Sequence, residues 1–161
     1  MNCGEKTLQW DGSKKWCCPN CGFTLFNNVA GAVAVLVVCK DEIMFTRRNQ
    51  DPGKGKLDLS GGFTDPEESA EETCARELKE ELSISIDTSK LRYLGSQPNV
   101  YLYKEIPYNT LDLFYEYEVE KKFDVTLEIS EISEIIWIKK SEIHLDDIAF
   151  ESQRGFLENY M

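Results

Sequence analysis

Three glutamates stand at a spacing that could bind a metal ion. Glu77, Glu80 and Glu81 are related as i, i+3 and i+4, so in an α-helix their side chains share one face. Carboxylates held this close repel one another and, when partly buried, raise one another's pKa unless a positive charge neutralises them. A divalent cation such as Mg²⁺ or Mn²⁺ supplies that charge and can also hold phosphate oxygens. The alternative is a solvated acidic face, which is the commoner origin of such a cluster.

The helix that must carry these glutamates is predicted to run from Pro66 to Leu82. Asp65 can cap its first turn, and proline suits the position after the cap. Ala75, Leu78 and Leu82 form an apolar stripe next to the glutamates, which predicts that this side of the helix docks on a sheet.

The residues around the glutamates match the pattern G-x5-E-x7-R-E-U-x-E-E-x-G-U, where U is a bulky aliphatic residue. The matching residues are Gly62, Glu68, Arg76, Glu77, Leu78, Glu80, Glu81 and Ile84. Ser83 replaces the last glycine, which usually provides the positive φ angle of a helix C-cap. On this pattern the sequence resembles the Nudix family, whose members hydrolyse the pyrophosphate of nucleoside diphosphate derivatives with the help of a divalent metal.

The resemblance implies a role for each residue of this region. The metal ligands would be the Gly61 carbonyl and the side chains of Glu77, Glu80 and Glu81. The same three glutamates would orient the attacking water and are the candidate catalytic residues. Glu68 and Arg76 would form a structural ion pair that joins the loop to the helix.

Residues beyond the helix suggest the substrate. Ser96, Gln97 and Pro98 resemble the S-Q-P-W motif of Nudix enzymes similar to NADH pyrophosphatase, with Asn99 at the tryptophan position. This resemblance implies an NAD(H)-like dinucleotide as substrate. Because Asn99 departs from the motif, an ADP-ribose or modified nucleoside triphosphate pyrophosphatase remains the alternative. A nucleotide-sensing Nudix module that does not cut is a further alternative, although it predicts the loss of a carboxylate that is present here.

The same resemblance nominates further site residues. Glu131 lies six residues before Trp137, which makes Glu131 a candidate distal metal ligand. Phe63 would stack on a base, and Ser96 and Gln97 would contribute to the substrate pocket. Apart from the resemblance, the aromatic side chain of Tyr101 is a further candidate for this pocket. The structural alternatives are that Phe63 belongs to the core and that Tyr101 merely packs.

Residues 1–28 form a predicted zinc-ribbon-like segment that precedes a Nudix domain over residues 29–161. Cys18 and Cys21 make one C-x-x-C knuckle, but Cys3 has no such partner, and a four-cysteine ribbon needs two knuckles. Either the Zn²⁺ site is lost, or it uses Cys3, Cys17, Cys18 and Cys21.

The pattern of apolar residues predicts strands, one helix, more strands and a closing helix. The segments are a strand buried on both faces at 30–39, strands near 43–48, 91–96, 110–119 and 135–140, an irregular stretch at 101–107, and a helix at 148–160. This order indicates an α+β protein, and the resemblance implies an α/β/α sandwich with a mixed β-sheet.

Composition limits the partners of the chain. It has 161 residues, 42% of them hydrophobic, and a formal net charge of −11, which disfavours long nucleic acid as a partner. Because no run of 18 apolar residues occurs, we expect neither a signal peptide nor a membrane span. The predicted location is therefore the cytoplasm. The expected partner is a small nucleotide, and the resemblance implies a homodimer.

Overall fold

The computed structural model describes residues 2–161, and for residue 103 it describes the backbone only. The strands are β1 (Gln9–Trp10), β2 (Lys15–Cys17), β3 (Thr24–Phe26), β4 (Ala30–Cys39), β5 (Glu42–Arg48), β6 (Leu57–Asp58), β7 (Arg92–Tyr103), β8 (Ile106–Glu118) and β9 (Ile132–Lys139). The α-helices are α1 (Ala70–Leu82) and α2 (Glu151–Tyr160), and short 3₁₀ turns span Thr88–Lys90, Lys140–Glu142 and Leu145–Asp147.

A six-stranded mixed sheet lies between the two helices. Its strands run in the order β6-β5-β4-β8-β7, and β9 pairs with β5. The β4–β8 pair is parallel and the other pairs are antiparallel. The predicted α/β/α sandwich with a mixed sheet is therefore confirmed. Within residues 2–161, no helix is both long and apolar enough to cross a membrane.

Strand β4 supplies side chains to the core on both faces of the sheet. Val33, Val35 and Val37 pack with α1, whereas the side chains of Ala34 and Leu36 lie in the opposite core with α2. This alternation is what a two-residue side-chain period produces. It explains why the strand has a continuous apolar sequence.

Helix α1 begins four residues later than predicted. Its N-cap is Ser69, whose hydroxyl accepts from the Glu72 amide while the Glu72 carboxylate accepts from the Ser69 amide. This reciprocal capping box satisfies two of the free amides at the helix start. The prediction that Asp65 caps a helix from Pro66 was wrong, because Glu67 adopts φ +73° and this angle interrupts helical backbone.

The end of α1 lies where the sequence predicts it. Ser83 adopts the left-handed conformation with φ +56°, and its amide donates to the carbonyls of Leu78 and Lys79. Serine therefore takes the conformation that glycine usually provides at this cap.

The stretch predicted to be irregular, 101–107, belongs instead to a long hairpin. Tyr101 pairs with Tyr108, and β7 and β8 turn between them through Lys104 and Glu105, both with positive φ.

The closing helix starts at Glu151 rather than at residue 148, because residue 148 is the C-cap of the preceding 3₁₀ turn. In the N-terminal segment, β1, β2 and β3 form a separate three-stranded antiparallel sheet.

Candidate active site

Two glycines bring the loop after β6 against α1. A Cβ atom on Gly61 would lie 2.0 Å from the Val33 carbonyl oxygen, and one on Gly62 would lie 2.4 Å from Glu77 Oε1. Both distances are far below van der Waals contact. Gly61 thus permits the loop to approach β4, and Gly62 makes room for the Glu77 carboxylate.

Arg76 connects this loop to the acidic face of α1. Its guanidinium donates to Glu68 (Nε to Oε1, 2.9 Å), to Glu77 (2.7 Å), to Glu80 (3.1 Å) and to the carbonyl oxygen of Phe63 (2.9 Å). These partners raise the pKa of Arg76, with Glu68 the strongest. The ion pair that the resemblance implies between Glu68 and Arg76 is present. It also extends to two of the candidate metal ligands.

The three glutamates of α1 differ in their surroundings. The Glu80 side chain is 60% exposed, whereas that of Glu77 is 14% exposed. Burial raises the pKa of Glu77, opposed by its hydrogen bond from Arg76. Burial raises the pKa of Glu81 well above its ordinary value, and the charges of Asp58, Glu77 and Glu131 add to the effect. Burial and the neighbouring negative charges therefore disfavour the ionised forms of Glu77 and Glu81 in the absence of a cation.

These residues fit a hard divalent cation by the chemistry of their donors. The side chains of Glu77, Glu80, Glu81 and Glu131 line one cavity and offer only oxygen, as Mg²⁺ and Mn²⁺ prefer. Within residues 2–161, the side chain of residue 103 excepted, no group donates a hydrogen bond to the Gly61 carbonyl, which leaves it available as a ligand.

Binding an ion requires these side chains to rearrange. No three of the carboxylates, all in the described part of the chain, bring oxygens within 4.8 Å of one another. Arg76 holds two of them, Glu77 and Glu80. Arg76 bonds Glu77 Oε1 and Glu80 Oε2, so the second oxygen of each carboxylate can turn toward a cation.

The buried carboxylate of Glu81 predicts a pH-dependent stability in the absence of metal. Because its folded-state pKa is raised, the unfolded chain loses this proton first as pH rises, and the folded state becomes less stable above the unfolded pKa. In protein treated with EDTA, Glu81→Gln should therefore melt at a higher temperature than the wild type at pH 8. The difference in melting temperature should shrink toward pH 4, where the Glu81 carboxyl group is protonated and, like glutamine, carries no charge. Thermal melts of both proteins between pH 4 and pH 8 test this prediction. An equal difference at both pH values would contradict the assignment.

The cavity above the carboxylates has a volume of about 430 Å³, within the range of small-ligand sites. Phe63, Tyr101 and Phe150 line it, with ring centroids 5.5 Å apart for Phe63 and Tyr101 and 5.8 Å for Tyr101 and Phe150. Phe63 is 40% exposed, so it is not a core residue. The lining of the cavity therefore combines carboxylates with aromatic rings.

Two of the predicted pocket residues lie elsewhere. Ser96 is exposed on β7, and neither Ser96 nor Gln97 is among the described residues that line the cavity. Asn99 and Tyr101, further along the same strand, do line it. The S-Q-P segment thus belongs to the part of β7 before the cavity.

Comparison with known proteins identifies the family. A family model described as the NUDIX domain matches residues 28–160. The chain belongs to the Nudix family. The match includes β4, α1 and the carboxylate cluster, and it leaves out the cysteine-containing N-terminal segment.

Similar Nudix proteins are found among both curated sequences and solved structures. The NAD-capped RNA hydrolase NudC of Haemophilus influenzae (strain PittGG) is 30% identical over 137 residues, which cover 84% of this chain and 48% of that protein. NudC of Pseudomonas syringae pv. syringae (strain B728a) is 35% identical over 95 residues, covering 59% of this chain and 33% of the relative. The chain thus spans half or less of the length of these relatives.

Solved structures show the same fold at low sequence identity. A MutT NUDIX hydrolase from Burkholderia pseudomallei superposes with a TM-score of 0.70 and 18% identity, covering 83% of this chain and 99% of that one. The NUDIX domain of Shewanella oneidensis NrtR, solved in complex with ADP ribose, has a TM-score of 0.66 and 18% identity, covering 84% and 88%.

Several polar residues of this Nudix cavity were not predicted from the sequence. Asp58 is buried and receives hydrogen bonds from Arg48 (2.5 Å) and Gln153 (2.6 Å). Burial raises the pKa of Asp58. Arg48 also lies over the Phe150 ring, 4.9 Å from its centroid. No sequence motif predicts that Arg48, Asp58 and Gln153 lie together, because Gln153 and Asp58 are 95 residues apart in the sequence.

The structure brings together three of the four candidate zinc ligands. The sulfurs of Cys3, Cys18 and Cys21 lie within 4.8 Å of one another, whereas Cys17 Sγ contacts the Thr24 hydroxyl at 3.8 Å. The Thr7 hydroxyl, 3.0 Å from Cys18 Sγ, and nearby backbone amides lower the pKa of Cys18 to about 6. Cys18 is therefore suited to ligate as a thiolate. Cys39 and Cys74 lie in the core.

Proposed function

We propose that this chain is a metal-dependent pyrophosphohydrolase that cleaves NAD(H)-like dinucleotides into two mononucleotides. The observation that carries the proposal is the cavity itself, whose lining combines five glutamates with the rings of Phe63, Tyr101 and Phe150. A pyrophosphate that joins two nucleosides needs a cation at its charged centre and a stacking surface for a base. The relatives named NAD-capped RNA hydrolase support an NAD-related substrate.

Each group of the cavity has a distinct part in this reaction. Glu77, Glu80, Glu81 and Glu131, with the Gly61 carbonyl, would hold Mg²⁺ or Mn²⁺. When bound, the cation neutralises charge on the phosphate oxygens and acidifies water. The glutamates orient the water that attacks phosphorus and accept its proton. Without such a cation the acidic residues would repel the substrate, since the protein has a net charge of −11.

Two other substrates deserve a direct test because specific observations favour them. ADP ribose is the ligand of the NrtR NUDIX domain, and Asn99 replaces the tryptophan of the S-Q-P-W motif. NAD-capped RNA is suggested by the name of the curated relatives. The acidic charge of this chain favours the free dinucleotide over a polynucleotide.

A substrate panel tests the proposal. Purified protein would be assayed with NADH, NAD⁺, ADP-ribose, an NAD-capped oligoribonucleotide, diadenosine polyphosphates and nucleoside triphosphates, with Mg²⁺ and with Mn²⁺, and the products resolved by chromatography. The highest kcat/KM is expected for NADH or NAD⁺, with two mononucleotides as products and no turnover in EDTA. Binding of these ligands without any turnover would instead identify a sensing module.

Phe63 is predicted to stack on the base of the substrate. Phe63→Ala should remove stacking of roughly 1–3 kcal/mol and raise KM, with little change in kcat, because a remote base is held equally in the ground and transition states. Since the ring is 40% exposed, the melting temperature should change little. Phe26→Ala, at another exposed phenylalanine, on β3 (51% exposed), is the matched control. A large fall in melting temperature with an unchanged KM would reject the stacking role.

We propose that Cys3, Cys18 and Cys21 hold one Zn²⁺, with solvent completing the coordination. Protein purified without chelators should then contain about one zinc per chain, and Cys18→Ser should lose it. Cys39→Ser, at a buried cysteine of β4, should retain the metal. Elemental analysis that finds no zinc in the wild type would show that the segment is a metal-free remnant.

A further inference from the structure

Asn99 lines the same cavity as Phe63, Tyr101 and Phe150, at the position where the sequence departs from the S-Q-P-W motif. On β7 it pairs with Thr110 of β8. Tyr101, two residues further along, extends from the same face of the sheet and contacts both Phe63 and Phe150. Residues two apart on a strand are separated by about 6.6 Å, so the Asn99 amide is within reach of the edge of a base that stacks on these rings.

A buried carboxylate determines the orientation of this amide. Asp112 is 8% exposed, and three donors converge on it: the hydroxyls of Thr110 and Ser152, each at 2.6 Å, and Asn99 Nδ2 at 2.9 Å. A carboxylate in this arrangement only accepts, so the amide must present its NH₂ group to Asp112. Because Ser152 belongs to α2, the network also ties the helix to the sheet and keeps Asn99 in place.

The orientation leaves the amide oxygen free for a ligand. Among the described side chains and backbone groups, which leave out residue 1 and the side chain of residue 103, none donates a hydrogen bond to Asn99 Oδ1. The side chain is half-buried and lines the cavity. A ligand that binds in the cavity beside Asn99 therefore meets a fixed hydrogen-bond acceptor.

We propose that Asn99 Oδ1 selects bases that carry an exocyclic NH₂ group, either the amino group of adenine or the carboxamide of nicotinamide. A base with a carbonyl oxygen at that position would place two acceptors against each other, and a methyl ketone would leave Oδ1 without a donor. Both lose a hydrogen bond that the amino group makes. The inference rests on the proposed function only in taking a nucleotide as the ligand.

The test compares nucleotides that differ in this one group. Equilibrium binding in Mg²⁺ would be measured for AMP against IMP and for nicotinamide mononucleotide against its 3-acetylpyridine analogue. These mononucleotides have no pyrophosphate to cut, so binding does not depend on turnover. The wild type should favour the NH₂-bearing member of one pair by about tenfold, the scale of one hydrogen bond. The pair that shows the preference identifies which base Asn99 contacts.

Two variants separate recognition from structural support. Asn99→Leu should reduce the preference to near one. In Asp112→Asn the new amide can donate to Asn99 Oδ1, which turns the Asn99 NH₂ toward the ligand, and the preference should reverse. A merely structural role for Asn99 predicts no reversal. Asn109→Leu, at an exposed asparagine of β8, is the control and should keep the wild-type ratio.

The outcomes distinguish this inference from the proposed function. Ratios near one for both pairs in the wild type, or a preference that persists in a folded Asn99→Leu variant, overturn the role of Asn99. If NADH is hydrolysed in that case, the proposed function stands alone. A preference that reverses in Asp112→Asn supports the inference even if no dinucleotide is hydrolysed. If none of the four mononucleotides binds, the role of Asn99 is overturned, and the substrate panel decides the proposed function separately.

Discussion

Replacing Glu81 by glutamine is expected to lower kcat for the dinucleotide by about 100-fold or more, the scale of losing a major electrostatic stabiliser. Glutamine keeps the size of the side chain and its hydrogen bond to the Gly61 amide, but it removes the charge. Glu81 is the α1 glutamate whose pKa burial raises most clearly, so its charge is the one that most needs a cation. The measurement is kcat at saturating Mg²⁺, together with Mg²⁺ affinity, which should also fall.

Glu72→Gln is the control for this variant on the same helix. Glu72 is exposed and acts only in the capping box with Ser69, where glutamine serves as well as glutamate. Its kcat should match that of the wild type. Near wild-type turnover in Glu81→Gln would remove the carboxylate cluster from the catalytic site.

Adding one methyl group at Gly62 is expected to reduce kcat by about 100-fold while the protein remains folded. The new Cβ atom would lie 2.4 Å from Glu77 Oε1 and 2.7 Å from its Cδ atom, so the carboxylate must move. A displacement of about 1 Å in a catalytic group is enough for an effect of this size. The atoms in the way belong to the end of a side chain, which can turn, and we therefore expect only a modest change in melting temperature.

Gly155→Ala provides the matched control for Gly62→Ala. A Cβ atom at Gly155 would meet nothing within 4 Å, and the residue lies inside α2, where alanine stabilises a helix by about 0.5–1 kcal/mol relative to glycine. This control should melt slightly higher and keep full activity. If Gly62→Ala were as active as Gly155→Ala, the position of Glu77 would not matter for turnover.

The sequence alone predicted those parts of the site whose residues are close to one another along the chain. The spacing of Glu77, Glu80 and Glu81 places them on one side of α1, because the helical period is a local property. The family pattern extended this to Gly62 and to the ion pair of Glu68 with Arg76. The apolar run of β4 predicted a strand buried on both faces, as observed.

Predictions from the local sequence were wrong at the start of α1, where two candidate N-caps compete. They were also wrong in β7, where the partner strand determines the backbone conformation. Asp65 and Ser69 are both good N-caps, and the reciprocal bonds of Ser69 with Glu72 determined which one begins the helix. In the aromatic stretch after Tyr101, the turn falls on Lys104 and Glu105, which are not residue types that favour positive φ. The stretch becomes a strand because β8 satisfies its backbone hydrogen bonds.

Only the tertiary structure decided which residues complete the cavity. The S-Q-P motif suggested Ser96 and Gln97, but the register of β7 on β8 places Asn99 and Tyr101 there instead. Asn99 acquires its orientation from Asp112, which in turn is held by Ser152, 40 residues further along the chain. Contacts of this range depend on how α2 packs on the sheet, and the spacing of residues along the sequence carries no record of that packing.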